Sequence, residues 1–232
     1  MSTGGGGVSR ETHFIPVARS SPLPPVPAAA VKVFGDRLGL AEAFATLLAT
    51  VGVERGLIGP REGSRLWERH LLNCAFLGEA IPGDVDVCDI GSGAGLPGLV
   101  LALDRPDLRV TVVEPLLRRA TFLDEVVREL ALPNVTVLRA RAEDLHGTHR
   151  FQVVTSRAVA PLGRLLDWSM PLVRTGGSML AMKGGSVEVE IEAAQREFRQ
   201  HRAEVVAVLR LGQRVVDPPA TVLRVEAVGR PG

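Results

Sequence analysis

The residues Asp89-Ile-Gly91-Ser-Gly93-Ala-Gly95-Leu-Pro-Gly98 pack four glycines and an acid into ten positions of a 232-residue chain. Glycines at this spacing allow positive φ and let a ligand approach the backbone closely. An apolar run before the turn and a helical pattern after it make the turn a candidate nucleotide cradle. Gly93, Gly95 and Gly98 satisfy GxGxxG, so a nicotinamide or flavin dinucleotide fits the loop as readily as S-adenosylmethionine (SAM). Glu114, closing the next apolar run, is placed to accept hydrogen bonds from ribose hydroxyls; both cofactors carry a ribose. Two further acids do discriminate. Asp89 stands where a pyrophosphate would be repelled and the cationic amino-acid end of SAM tolerated. Glu143, beyond the third apolar run, supplies an acceptor where an adenine amine is expected. Each acid also has a plain reading, Asp89 as a helix cap and Glu143 as a solvated surface group. Together they favour SAM.

Downstream, Thr155-Ser156-Arg157-Ala158 ends the fourth apolar run, the position that faces the methyl group and the substrate in a SAM enzyme. Arg157 offers a fixed charge and a planar donor fork suited to a purine edge, a carboxylate or a phosphate. No dedicated nucleophile or general base is evident beside it. That suits an acceptor that is already nucleophilic, which needs alignment and charge management only. Candidate RNA contacts are Arg55, Arg61, Arg65, Arg69 and His70 toward the N-terminus, and Arg118, Arg119, Arg139, Arg141, Arg157 and Lys183 in the body. Arg61, Arg65 and Arg69 are four apart and would form a basic stripe on one helix. Such a stripe tracks a phosphate backbone without disturbing a net charge of only +1. For any one Arg, a solvated helix face explains it equally well.

The elements that must position these groups follow from hydrophobic periodicity. Residues 31–52 and 62–80 read as two helices of an N-terminal cap, closed by Pro82-Gly83-Asp84. Strands are expected at 86–90, 109–114, 134–138, 151–155 and 177–183, with helices from 97, at 116–131, 162–174 and 187–200. Two antiparallel strands, 203–211 and 221–228, finish the chain. This alternation makes an α/β, Rossmann-like fold with a mostly parallel sheet and antiparallel last strands. The expected domains are a disordered tail over 1–30, a helical cap over 31–83 and a SAM-dependent methyltransferase domain over 84–230. The tail reading rests on four consecutive glycines and Ser21-Pro-Leu-Pro-Pro-Val-Pro27. Cys74 and Cys88 form no metal-ligand spacing, and Cys88 within an apolar run reads as buried and reduced. A cytoplasmic enzyme with no metal, no membrane partner and a monomeric state is the expectation.

Trp67-Glu-Arg-His70-Leu-Leu72, the Asp89–Gly98 loop, Ser156-Arg157-Ala158 and Met182-Lys183-Gly184 together resemble the RsmG (GidB) family, bacterial methyltransferases of guanine N7 in the 530 loop of 16S ribosomal RNA. The resemblance covers about residues 60 to 228. It implies that Gly91 and Leu96, Ala142 and Glu143, and Arg157 contact SAM. It also implies that Glu114 holds the ribose, and that 16S rRNA, the small ribosomal subunit or an assembly intermediate is the partner. Gly-Leu-Pro-Gly and Ser-Arg-Ala are its most specific parts. Asn73-Cys74 departs from the Asp-Ser usual in the family. A small-molecule methyltransferase, an NAD(P)-binding oxidoreductase and a non-catalytic RNA-binding or ribosome-assembly factor are the alternatives.

Overall fold

The computed structural model describes residues 23–228. The expected tail lies mostly outside them. Its last residues, 28–30, instead open a helix, and Ala30 is fully buried. Seven strands form one sheet in the order β3-β2-β1-β4-β5-β7-β6. They are β1 (Asp86–Ile90), β2 (Arg109–Val113), β3 (Val135–Leu138), β4 (Phe151–Arg157), β5 (Val173–Lys183), β6 (Ala203–Leu211) and β7 (Ala220–Ala227). The first five run parallel, while β7 is antiparallel to both β5 and β6. The chain enters at the centre, winds out to β3, then returns to β4 on the other side of β1. This reversal opens a crevice at the carboxyl ends of β1 and β4, the place where open α/β sheets bind ligands.

Helices α1 (Ala28–Phe34) and α2 (Leu38–Leu47) form the first half of the cap. The second half, expected as one regular helix over 62–80, changes winding along its length. A tight turn at Gly63–Arg65 leads to a wide π-helical stretch, Leu66–Leu72, then to α3 (Asn73–Phe76) and a tight turn at Leu77–Ala80. Wide turns of this kind recur at functional sites. Phe44, Leu48, Leu66, Leu71 and Leu72 of the cap join Leu99, Leu101 and Leu103 of α4 (Gly98–Asp104) in one continuous core. Polar ties reinforce it. Arg37 donates to the Leu103 carbonyl at 2.9 Å, and Arg105 donates to Gly78 at 2.9 Å and Ile81 at 3.2 Å. The cap is therefore fixed to the body by packing rather than hung from a linker.

On that side of the sheet, α5 (Leu117–Glu129) buries Ala120, Phe122, Leu123 and Val126. The other side is covered by α6 (Leu162–Ser169), α7 (Val187–Ala193) and α8 (Gln195–His201). The helix expected over 162–174 is shorter, ending in a tight turn at Met170–Leu172 that contains Pro171. Proline cannot donate to the preceding turn. The strand that follows starts at Val173 rather than at Gly177.

Candidate active site

The glycine loop leaves β1 at the crevice and is held from both sides. Gly91 and Ser92 donate backbone hydrogen bonds to the Val113 carbonyl at 2.8 and 3.1 Å. Glu114, only 1% exposed, accepts from the Gly93 amide at 3.0 Å through Oε2 and from the Leu116 amide at 3.0 Å through Oε1. Asp89 lies beneath the loop. Its Oδ2 accepts from the Ser92 hydroxyl at 2.5 Å and the Gly98 amide at 2.9 Å, while its Oδ1 is buried without a partner. Asp89 is fully buried and lines none of the three cavities at this crevice, so its expected place beside the cationic end of SAM is corrected: it braces the turn and caps α4. Gly95 is buried with φ +89, a Cβ there would collide with Leu99, and the residue lines none of those three cavities.

Burial pushes the Asp89 carboxyl up to about 7, opposed by the hydrogen bonds from Ser92 and Gly98. The folded chain therefore keeps a proton there over a range in which the unfolded chain, with a value of 3.8, has released it. More protons bound in the folded state mean that stability falls as pH rises through this window, then levels off above about 7. Asp89→Asn is expected to flatten that slope relative to the parent. Urea unfolding of both chains at several pH values between 4 and 8 checks it, and parallel profiles would refute the assignment.

Three cavities meet at this crevice. One, of about 730 Å³, runs along the loop and is lined by Gly91, Gly93, Leu96, Glu114, Arg119 and Arg157 from the body and by Glu62 and His70 from the cap. A narrower slot of about 400 Å³ continues past Gly91 between Ala142, Glu143, Arg164 and Trp168. A cleft of about 1000 Å³ opens beyond Arg157 toward β5 and β7. Val159 lines all three. The structure thus brings together Gly91, Gly93, Leu96, Glu114, Ala142, Glu143 and Arg157 as the sequence anticipates. Arg164 and Trp168 were missed, although they are four apart on α6; the Arg164 guanidinium lies 5.7 Å from the Trp168 ring centroid.

Arg157 bridges cap and body. It donates to the Arg69 carbonyl at 3.0 Å and to Cys74 Sγ at 3.3 Å, and it borders both the loop cavity and the cleft. Cys74 and Cys88 are both buried and free, and burial raises both thiols above their ordinary value.

The expected basic surface is redistributed. Arg65 and Arg69 line the cleft, joined by Arg210 of β6, which the sequence reading did not single out. Arg61 precedes the helix instead of belonging to its stripe. His70 is 9% exposed, donates from Nε2 to Glu62 at 2.8 Å and lines the loop cavity, which places it inward of the surface expected to meet RNA. Lys183 lines the same cleft as Arg65 and Arg69, but its buried ammonium is already engaged: it donates to the Ala160 carbonyl at 3.1 Å and to Glu190 at 2.7 Å, tying the segment after β4 to α7. Arg119 lies 3.7 Å from Glu114 and belongs to the loop cavity. Arg118 and Arg139 are exposed and line none of the three cavities. Arg55 pairs with Glu125 at 2.7 Å, and Arg141 lines the slot.

The arrangement fits SAM on its own geometry. A slot lined by Ile90, Val113, Ala142 and Trp168, with the Glu143 carboxylate in its wall, suits adenine, and the buried Glu114 at the loop suits ribose. The end of the cavity bounded by Arg157 and Glu62 presents both signs of charge, as an amino-acid zwitterion requires. A pyrophosphate would meet two carboxylates, Glu62 and Glu114, in the same walls. Among the described residues, no group of three or more His, Cys, Asp or Glu is placed to hold a metal, and no helix is long and apolar enough to cross a membrane.

The family model described as rRNA small subunit methyltransferase G matches residues 37–216. A ribosomal RNA small subunit methyltransferase G from a Nocardioides species is 59% identical over 219 residues, covering 94% of this chain and 83% of its own. The protein of the same name from Streptomyces coelicolor is 55% identical over 217 residues, covering 93% and 91%. Among solved structures, fibrillarin from Aeropyrum pernix with bound S-adenosyl-L-methionine superposes with a TM-score of 0.52 at 19% identity, covering 68% of this chain and 75% of its own. A SAM-dependent O-methyltransferase from Thermotoga maritima superposes with a TM-score of 0.50 at 15% identity, covering 69% and 66%. Likeness at those identities supports the Rossmann-like methyltransferase fold.

Proposed function

From the premise that this chain belongs to the rRNA small subunit methyltransferase G family, we propose that it methylates guanine N7 in the 530 loop of 16S rRNA. It is a SAM-dependent methyltransferase of ribosomal RNA. The observation that carries the finer reading is the junction at Arg157-Ala158-Val159, where the glycine-loop cavity opens into an arginine-bordered cleft. When bound, SAM supplies an electrophilic methyl group. The protein's share of the work is to align an acceptor with it. Guanine N7 carries an in-plane lone pair and needs no deprotonation before attack, so orientation and charge placement suffice.

Glu114 holds the ribose side, the Ala142–Trp168 slot holds adenine, and Arg157 fixes the border between cofactor and substrate. Arg65, Arg69 and Arg210 receive RNA phosphates across the cleft, contacts that position the chain without reading its sequence. The cap, taken as residues 31–83, acts with the methyltransferase domain over 84–230 as one unit, because it supplies walls to the loop cavity and to the cleft. The working form is a monomer in the cytoplasm, acting on the small subunit or on an intermediate in its assembly.

Incubation with methyl-labelled SAM and small subunits from cells lacking this methylation tests the reading. The expected product is a single N7-methylguanosine in the 530 loop, identified by nuclease digestion and nucleoside mass. Label on another nucleotide, or none, would overturn the site assignment.

A further inference from the structure

The acids that border the loop cavity are not equivalent. Glu114 has both oxygens engaged by the Gly93 and Leu116 amides and lies 3.7 Å from Arg119. Asp89 is under the loop, out of reach of any occupant. Glu62, from the cap, is different. Its side chain is 30% exposed, and its Oε2 meets His70 Nε2 at 2.8 Å, with Arg69 Nε a more distant 3.9 Å away. His70 Nδ1 is buried without a partner. An imidazolium would need acceptors at both nitrogens, and only one is supplied. Burial and the nearby Arg157 also hold the ring below its ordinary value. His70 is therefore neutral, with its proton on Nε2 directed to Glu62. The hydrogen bond from His70, with Arg69 and Arg65 nearby, keeps Glu62 below the usual carboxylate range. The result is an ionised carboxylate whose contacts with His70 and Arg69 both fall on Oε2, leaving Oε1 without a hydrogen bond or ion pair among the described residues.

We propose that Glu62, positioned by His70, receives the positively charged amino group of SAM, so that the cap completes the cofactor site. Arg157, in the same cavity, is the counterpart for the cofactor's carboxylate. A carboxylate from the cap and a guanidinium from β4 then divide the two poles of one zwitterion. Cofactor binding becomes linked to the placement of the Glu62–Leu72 segment, whose Arg69 carbonyl also holds Arg157. This inference rests on SAM lying along the loop cavity, and the experiment separates the two.

Calorimetry with three ligands tests it: S-adenosylhomocysteine, its deaminated analogue, which keeps the carboxylate, and methylthioadenosine, which lacks the amino-acid end. Glu62→Gln is expected to weaken S-adenosylhomocysteine about tenfold, equivalent to about 1.4 kcal/mol. The other two ligands should stay within about twofold of the parent value. His70→Gln keeps a donor toward Glu62 and should retain most of the affinity, whereas His70→Leu should lose it as Glu62→Gln does. In the parent, S-adenosylhomocysteine should slow amide exchange over residues 57–72 and methylthioadenosine should not. Equal loss for all three ligands, or no loss, overturns the assignment. So does a parent protein that binds the deaminated analogue as tightly as S-adenosylhomocysteine, a comparison that needs no variant. A parent that binds neither S-adenosylhomocysteine nor methylthioadenosine would refute the cofactor placement itself.

Discussion

Arg157→Ala is expected to lower methyl transfer by about 10²- to 10³-fold, the range seen when one preorganised charge-stabilising donor is removed from an active site. Arg157 ends β4 at the border of the loop cavity and the cleft, where its guanidinium faces both occupants. Its orientation is set by the Arg69 carbonyl at 3.0 Å and Cys74 Sγ at 3.3 Å, so the fork is in place before either ligand arrives. Alanine removes the charge and releases the cap segment that it holds. The fold should survive, since the side chain is only partly buried and a single hydrogen bond to a charged donor is worth about 1.5–3 kcal/mol. Arg157→Lys should lie between the two, because an ammonium keeps the charge but loses the planar fork. Single-turnover rates with saturating SAM, read beside urea unfolding, decide the matter. An alanine variant with near-parental turnover would make Arg157 a purely structural tie between cap and body.

The same residue marks how far a sequence can be read. Leu96 comes only from the family resemblance, whereas the placement of Arg157, Gly91 and Glu114 at the crevice is legible because each follows locally from a strand end. Strand-loop-helix patterning places them at the crevice whatever the rest of the chain does. Asp89 shows the limit. A carboxylate at the end of a central parallel strand can point into the crevice or back into the protein. The Ser92 hydroxyl and the Gly98 amide settle the choice by hydrogen-bonding it beneath the loop. Lys183 stands in the sequence as a candidate RNA contact because its partner, Glu190, lies a helical turn into α7 and meets it only where that helix packs over β5. Arg210 escaped notice for a related reason. It reaches the cleft only because β6 pairs antiparallel with β7 at the end of the sheet, a long-range arrangement that periodicity cannot fix. His70 takes the inward side that helical spacing with Leu66, Leu71 and Cys74 gives it, which conflicts with its candidacy as an RNA contact. The basic stripe of Arg61, Arg65 and Arg69 fails separately, because Arg61 precedes the tight turn at Gly63–Arg65 and only Arg69 lies in the stretch that follows. Local chemistry survives translation from sequence, whereas roles that depend on which distant side chain arrives do not.

The narrowest point of the site yields the second large effect. Gly91 has φ +66, and a Cβ built there would lie 2.8 and 2.9 Å from the two Val159 methyl groups. Real Cβ atoms do not come so close, so in Gly91→Ala either the loop or Val159 must move. Val159 lines all three cavities, so its displacement closes the passage between the adenine slot, the loop cavity and the cleft. The positive φ adds about 1–2 kcal/mol of backbone strain for any residue with a Cβ. Together these should weaken S-adenosylhomocysteine binding by about 100-fold or more, since each 1.4 kcal/mol is a factor of ten. The two contributions can be separated. Val159→Ala in the Gly91→Ala background removes the methyl groups that collide and leaves the strain untouched. The double variant should therefore regain part of the affinity, about tenfold, but not all of it. Full recovery would mean that the collision alone matters and the loop tolerates the left-handed alanine. No recovery would mean that the loop conformation, held by the Val113 carbonyl and the Glu114 carboxylate, is the quantity that binding depends on.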